Sequence, residues 1–369
     1  MTGDPSRRLS ARQWVQRSAW RTVYSRWPAA PLQSDGYTVL IAVPGDLPVF
    51  LELALAGFSQ QDPNERVETL VVPDQMTPAF AACFERCAAR FDWGPLRLVE
   101  IGSRGRALQW LSTGPVVNHF LQIYTAAAAA RTTHLLLHDA DLFLLDRSFL
   151  VTRYHHCVER GLACLGLERD NGTDWYDRHG LGPVLATWEL MLDVRWLRDF
   201  APGQLHGHHD RLRGLVHEFD TLDYVQARTR PERRGLLEAP TDFVHFNWTI
   251  IVYRHFQQAQ GRPFEDDRFL ILLVRLLSDA LHAEPEERDD LPSAQELAYG
   301  ITDSTARVTY RSAGLREKYA EFRRRLELLM NGPLADKGIV ERVERTIAPF
   351  DAAFGGAATR ARRTAGWAG

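Results

Sequence analysis

The segment His134-Leu-Leu-Leu-His-Asp-Ala-Asp-Leu-Phe-Leu-Leu145 joins an apolar run to a pair of carboxylates. The run reads as a buried strand that ends on Asp139-Ala140-Asp141, and a second apolar run, Leu142 to Leu145, follows at once. Two carboxylates at the exit of a buried strand are costly to hold unless something cationic meets them. At i and i+2 on a bending chain both can face one hard divalent cation. Such an ion takes a carboxylate or two, keeps some waters and completes its shell with substrate phosphate oxygens. The pattern therefore points to chemistry on a nucleoside diphosphate. The plainer reading is that Asp is common at strand ends as a turn or cap residue.

Upstream, Tyr37 to Val43 is a β-branched and apolar run ending at Pro44-Gly45. Pro48 to Gln60 reads as a helix buried through Phe50, Leu51, Leu53, Ala54, Leu55 and Phe58. Val67 to Pro73 is a second strand, ended by Asp74, and Thr77 is placed to cap a helix running to about Arg90. Leu96 to Ile101 is a third strand, followed by a loop, Gly102 to Arg106. Pro115 to Arg131 has Pro in its first turn and a run of alanines near its end, so it reads as a strong helix. Ser148 is placed to cap a helix that stops at Gly161, and Leu162 to Leu167 is the next strand. Strands alternating with helices imply a mostly parallel α/β sheet covered on both faces. Ligands of such sheets bind beyond the carboxyl ends of the strands, where Pro44 to Asp46, Asp74, Gly102 to Arg106 and Asp139 to Asp141 all gather.

Downstream the pattern loosens. Glu168 to Gly182 is polar, holds Trp175, Tyr176 and His179, and reads as a surface loop. Val184 to Val194 is an apolar strand. Gly203 to Arg213 carries His206, His208 and His209; it lacks a cysteine or acid at familiar zinc spacing and reads as a flexible loop. Glu218-Phe-Asp-Thr-Leu-Asp223 precedes a helix running to about Arg230, and Asp242 to Trp248 is a short strand. Beyond Pro263 helices are expected over Phe269 to His282, Ala294 to Tyr299 and Leu315 to Met330. The expected organisation is an Arg/Trp-rich segment over 1–36, an α/β domain over 37–260, a helical extension over 261–350 and a mobile tail over 351–369.

At 369 residues the chain has room for one large or two modest domains. A net charge of −3 gives no field that would favour nucleic acid. No signal-like N-terminal run is present, and the apolar stretch Phe269 to Leu277 is short and broken by Arg275, so no membrane span is expected. The 4 cysteines (Cys83, Cys87, Cys157, Cys164) form no disulfide framework, which implies a reduced, cytoplasmic setting. Cys83 and Cys87, one helical turn apart, read as small buried hydrophobes ahead of metal ligands. Residues such as Trp14, Arg17, Trp20, Arg21 and Trp27 near the N-terminus suit a helix packed on the main body, ahead of one lying on an anionic membrane surface.

From Tyr37 to Tyr253 these features, in this order, resemble the GT-A glycosyltransferases, which act on sugar nucleotides through one nucleotide-binding α/β sheet. In that resemblance Val43 and Pro44 end the strand that meets the nucleoside. Asp74 is the acid that contacts the base, and Asn118 lies near the nucleoside. Asp139, Ala140 and Asp141 form the acidic metal and nucleotide motif, and His245 completes the metal shell. Asp220, with Glu218 as reserve, supplies the general base of an inverting reaction. In many inverting members the acids are adjacent, whereas here Phe219 separates them.

The resemblance implies a metal-dependent transfer of a sugar from a nucleotide-diphosphate donor, a UDP-sugar by class habit, to an acceptor hydroxyl. The ion would be Mn2+ or Mg2+, and imidazole suits Mn2+ better. Arg104 and Arg106 would meet phosphate, or else are solvated charge, and Asp220 otherwise simply caps the helix after it. Trp175, Tyr176 and Trp188 are candidates to stack on a sugar, or else a core residue and loop anchors. A homo-oligomer is compatible with all of this. A nucleotidyltransferase acting on a sugar phosphate is the rival enzyme, but Pro44-Gly45-Asp46-Leu47 lacks the basic triphosphate loop it needs. A haloacid-dehalogenase-like phosphatase would want Gly-Thr after the second Asp, where Leu142-Phe143 stands. A catalytically idle sugar-nucleotide-binding protein is the alternative outside enzymes.

Overall fold

The computed structural model describes residues 9–31, 33–90, 94–111, 115–169, 180–237, 242–259, 263–264, 268–281, 292–293, 297, 309–310 and 315–354. The expectations for Trp175, Tyr176 and His179, for most of Ala294 to Tyr299 and for the tail beyond Phe354 lie outside the described residues. The chain divides into two compact units, one made of Met1–Glu52, Gln61–Ala140 and Ser148–Pro240, the other of Leu53–Gln60, Asp141–Arg147 and Thr241–Gly369.

The first unit is built on β1 (Ser34–Val43), β2 (Arg66–Pro73), β3 (Leu96–Leu98) and β4 (Thr132–Asp139). The strand β5 (Leu142–Leu144) belongs to the second unit, and the first continues with β6 (Cys164–Glu168), β7 (Leu185–Asp193), β8 (His208–Leu212), β9 (Leu215–Phe219) and β10 (Arg234–Leu236). Seven of these strands form one sheet in the order β10-β6-β7-β4-β1-β2-β3. Every pairing is parallel except those of β7, which runs antiparallel to both β4 and β6. The mostly parallel sheet expected from the apolar runs is therefore present, with one reversed strand inside it.

Flanking helices are α1 (Ala11–Val23), α2 (Val49–Phe58), α3 (Pro78–Arg90), α4 (Ser103–Leu111), α5 (Pro115–Ala129), α6 (Phe149–Glu159), α7 (Val194–Arg198) and α8 (Asp223–Ala227). Thr77 caps α3, its hydroxyl accepting the Phe80 N–H at 3.1 Å. Ser148 precedes α6 as expected, but its side chain makes no cap hydrogen bond. Two expectations need correcting. The loop expected over Gly102 to Arg106 is the first turn of α4, where the Arg106 N–H reaches the Gly102 carbonyl at 3.0 Å and Ile101 and Gly105 are buried. The flexible loop expected over Gly203 to Arg213 is a short 3-10 turn (Pro202–Gln204) leading into the β8–β9 hairpin, with His206 only 2% exposed.

That histidine is buried because α1 docks over it. Ser10 and Gln13 close a capping box at the start of α1. Trp20 then stacks on the His206 ring at 4.1 Å between centroids and meets Phe120 of α5 edge to face. Arg17 and Arg21 both hydrogen-bond the Asp210 carboxylate on β8. Gly203 admits this approach, since a Cβ there would stand 2.5 Å from the Trp20 carbonyl oxygen. Burial pushes the His206 imidazole down to about 4, and neighbouring His208 adds to the effect. Burial alone would raise Asp210, but hydrogen bonds from His208 and the Arg211 N–H, with Arg21 and Arg17 alongside, hold it well below the usual carboxylate range.

The carboxyl ends of the central strands are tied by one side chain. Gln122 of α5 donates to the Val43 carbonyl at 3.0 Å and the Val72 carbonyl at 2.8 Å, linking the last turns of β1 and β2.

In the second unit β5 pairs antiparallel with β11 (Phe243–His245), and a short parallel pair joins β12 (Pro263–Phe264) to β13 (Thr309–Tyr310). The helices are α9 (Thr249–Ala259), α10 (Arg268–Leu281), α11 (Leu315–Met330) and α12 (Lys337–Phe354), the last of which the sequence reading did not single out. Phe269 of α10 stacks on Phe322 of α11, and the Tyr319 hydroxyl donates to Asp351 of α12 at 2.6 Å. Among the described residues no helix is long and apolar enough to cross a membrane.

Two outcomes are expected from this packing. Gln122→Leu removes a donor from the Val72 carbonyl and one of two from the Val43 carbonyl, and should lower unfolding free energy by about 1 kcal/mol, read from the urea midpoint; an unchanged midpoint would contradict the tie. His206 is held neutral in the fold while the unfolded chain titrates near about 6.5. Below that pH the unfolded state binds more protons, so stability falls as pH drops from about 6.5 towards about 4. His206→Phe keeps a ring against Trp20 and should flatten that loss in thermal melts; melts that fall equally with pH in both proteins would rule His206 out as the source.

Candidate metal and nucleotide site

Strand β4 carries Leu135, Leu136 and Leu137 into the core and ends on half-buried Asp139. Ala140 is buried at the turn, and Asp141 follows at 6% exposure. The chain then enters β5, whose partner β11 is set so that His245 faces Leu142. That register brings His245 Nε2 to 3.3 Å from Asp141 Oδ1. The Phe246 N–H donates to the Asp141 backbone carbonyl at 3.0 Å, and the Thr249 N–H fixes the carboxylate through Oδ2 at 3.2 Å. One ligand atom each from Asp139, Asp141 and His245 lie within 4.8 Å of one another. Ligand atoms stand about 2.0–2.6 Å from a shared divalent ion, which puts any two at most about 5 Å apart. Two carboxylates and an imidazole in that space fit one such ion, and the imidazole suits Mn2+. The Arg325 guanidinium of α11 donates to the His245 carbonyl at 3.3 Å, a second support behind the ring.

In the first unit, the ends of β1 and β2 build a polar cluster. Val43 and Pro44 are buried, and the Asp74 N–H closes on the Val43 carbonyl at 3.0 Å. Asp74 Oδ1 accepts the Gly45 N–H at 2.8 Å, and Oδ2 accepts the Asn118 amide at 3.1 Å. The Gln109 amide of α4 donates to the Asp74 carbonyl at 2.6 Å and to Asn118 Oδ1 at 3.1 Å. Gly45 has no room for a side chain, because a Cβ would lie 1.4 Å from the Gln75 carbonyl oxygen. Asp74 is 6% exposed and braces the turn after β1. Asp74 and Asn118, expected together from sequence, are thus in direct contact.

Arg104 and Arg106 stand elsewhere. Both are exposed on α4, Arg104 donating to the Val23 carbonyl and Arg106 to Glu100. They stand on a helix rather than on the loop expected there.

Asp220 follows β9 with its side chain 42% exposed, and Arg169 bridges it, at 2.9 Å, to buried Asp223, at 2.7 Å. The Thr221 N–H closes on Asp220 Oδ1 at 2.7 Å, a turn contact, while Asp220 lies outside the short helix α8. Glu218 points from β9 towards His209 at 3.7 Å. Half-buried His119 of α5 is pulled below the usual imidazole value by burial, with Asp220 opposing. Trp188 lies within β7. Cys83 and Cys87 are buried thiols with sulfurs 4.0 Å apart, as their helical spacing suggested.

Gln109, Thr249 and Arg169 escaped the sequence reading. Gln109 and Arg169 carry no local signal, since each acts on residues far along the chain. Thr249 follows a residue that breaks the strand and opens α9, where unpaired N–H groups are expected.

No protein-family model matches the chain, and no curated protein matches it. Some solved structures align with it at low identity. A mannosyltransferase, PcManGT from Pyrobaculum calidifontis in complex with GDP-Man and Mn2+, aligns over 96% of this chain and 86% of its own at 14% identity and a TM-score of 0.36. The galactosyltransferase LgtC with donor and acceptor sugar analogs aligns over 83% and 99% at 10% identity and a TM-score of 0.41. S. aureus TarS 1-349 in complex with UDP-GlcNAc aligns over 89% and 92% at 14% identity and a TM-score of 0.38. The likeness at this level is loose, and the geometry of the site stands without it.

Removing a ligand should be visible without any substrate. Asp141→Ala and His245→Ala should each weaken Mn2+ binding at least about tenfold, read by paramagnetic resonance of free Mn2+. Titrations that overlay the unsubstituted protein would exclude the site.

Proposed function

We propose that this chain is a metal-dependent glycosyltransferase that moves a sugar from a nucleotide-diphosphate donor to an acceptor hydroxyl with inversion. The observation that carries the reading is the convergence of Asp139, Asp141 and His245 at the end of a buried strand. Transfer from a sugar nucleotide builds negative charge on the departing diphosphate while the sugar becomes oxocarbenium-like, as in glycoside hydrolysis. A divalent cation held by these three residues supplies Lewis-acid stabilisation of that charge. Asp141, braced by the Thr249 and Phe246 N–H groups, and His245, braced through its carbonyl by Arg325, hold their ligand atoms in place before the substrate arrives.

The cluster of Gly45, Asp74, Gln109 and Asn118 receives the nucleoside. Val43, Pro44 and Ala140, buried at the ends of β1 and β4, are proposed to line it with apolar surface. A UDP-sugar is the first donor to try, with GDP-sugars beside it. Asp220 takes the proton of the acceptor hydroxyl. What supports this role is its exposure and its fixed orientation between Arg169 and the Thr221 N–H. Glu218, more exposed and on the outer strand, is the reserve. The buried, unbridged thiols fit a reducing, cytoplasmic setting.

The test is hydrolysis and transfer with a panel of UDP- and GDP-sugars, with Mn2+, with Mg2+ and with chelator. Metal-dependent release of nucleoside diphosphate is expected, falling at least about a hundredfold in Asp141→Ala, about 2.7 kcal/mol of barrier. Asp220→Asn should lower kcat for transfer while leaving donor binding near its original strength. Turnover that survives chelation, or no turnover with any sugar nucleotide, would defeat the proposal.

A further inference from the structure

Three residues beyond His245 the chain presents Trp248. Its backbone takes φ +75°, the left-handed region that glycine enters freely and a bulky aromatic residue enters at a cost. Its side chain is 58% exposed and makes no hydrogen bond or ring contact among the described residues. Both features work against the fold, since a large apolar surface is left in water and the backbone is strained to place it there. The next peptide N–H, that of Thr249, donates to Asp141 Oδ2 at 3.2 Å. The indole is thereby mounted on the peptide unit that holds a metal-ligand carboxylate, with Trp248, Thr249, Asp141 and His245 all in one unit. Trp248 is also at most about 11 Å along the chain from His245, roughly the length of two sugar rings.

We infer that Trp248 is a stacking platform for the acceptor, a neutral sugar whose pyranose ring lays its C–H face on the indole; the inference rests on the glycosyl-transfer reading above. A donor is gripped through its diphosphate and base. A neutral acceptor has no charge to be gripped by, so it is held by apolar contact and hydroxyl hydrogen bonds, and an exposed indole supplies the first. Openness to solvent suits a group that arrives and leaves at each turnover. The neighbouring Asn247, also exposed, adds a hydrogen-bonding amide beside the ring.

The test compares Trp248→Ala, Trp248→Gly and Trp248→Phe with the unsubstituted protein, using methyl glycosides of glucose, galactose, mannose, xylose and N-acetylglucosamine as acceptors. For the glycoside that is used, acceptor KM should rise about tenfold or more in Trp248→Ala and Trp248→Gly, and much less in Trp248→Phe, which keeps a ring. Donor KM and donor hydrolysis without acceptor should stay within about twofold. Trp248→Gly relieves the backbone and should melt no lower than the unsubstituted protein. A residue held only for structure would instead lower the melting temperature in Trp248→Gly and leave acceptor KM alone. In parallel, 5-fluorotryptophan protein, with the Trp248 resonance assigned by its loss in Trp248→Phe, should show that resonance shift on adding the glycosides. Acceptor KM unmoved in Trp248→Ala, a rise confined to donor KM, or a fluorine resonance blind to every glycoside would each overturn the inference. Failure of the unsubstituted protein to turn over any sugar nucleotide, with the fluorine shift still present, would strike the glycosyl-transfer reading and leave a sugar platform standing.

Discussion

Two carboxylates at the end of a buried strand set the terms for this molecule. Asp139 and Asp141 place oxygens within 4.8 Å of one another, and Asp141 is almost wholly out of water. Unit like charges at that separation repel by about 3–4 kcal/mol at the effective dielectric of a protein surface. The chain answers with the Thr249 N–H on the Asp141 carboxylate and with an imidazole across the β5–β11 pairing. Those supports orient the charges without cancelling them. On the proposed reading a doubly positive ion would cancel them.

The first unit has ties of its own. Gln122 ties the ends of β1 and β2, and Asp74 ties the turn after β1 to α4 and α5 through Gly45, Gln109 and Asn118. Each link joins residues distant in the chain by a buried or half-buried hydrogen bond, the kind whose loss leaves an unsatisfied partner rather than a mere gap. Trp248, strained and solvent-facing, stands just before the Thr249 N–H that holds Asp141.

The N-terminal helix shows a second use of buried charge. Arg17 and Arg21 converge on Asp210, and Trp20 covers His206, so a hairpin rich in histidine is sealed rather than opened to a metal. Among the described residues the metal-ligand cluster is the one at Asp139, Asp141 and His245. What distinguishes His245 from His206 is which groups face it, a carboxylate in one case and an indole in the other.

Local pattern was enough for the strands β1, β2, β4 and β7, for α2, α3 and α5, and for the acidic turn, because burial on both faces writes continuous apolar runs and a charged pair after such a run stands out. The same reasoning misread Gly102 to Arg106, where a helix starts on weak local signals and is held by packing of Ile101 and Gly105, and Gly203 to Arg213, where burial is imposed by α1 from far upstream. The direction of β7, the pairing that sets His245 against Leu142, the grip of Gln109 on Asp74 and Asn118, and the bridge from Arg169 to Asp220 were decided in three dimensions. Periodicity reports which face of an element is buried. Register, strand direction and the partner of a buried polar group depend on segments a hundred residues away, and only the folded chain brings those segments together.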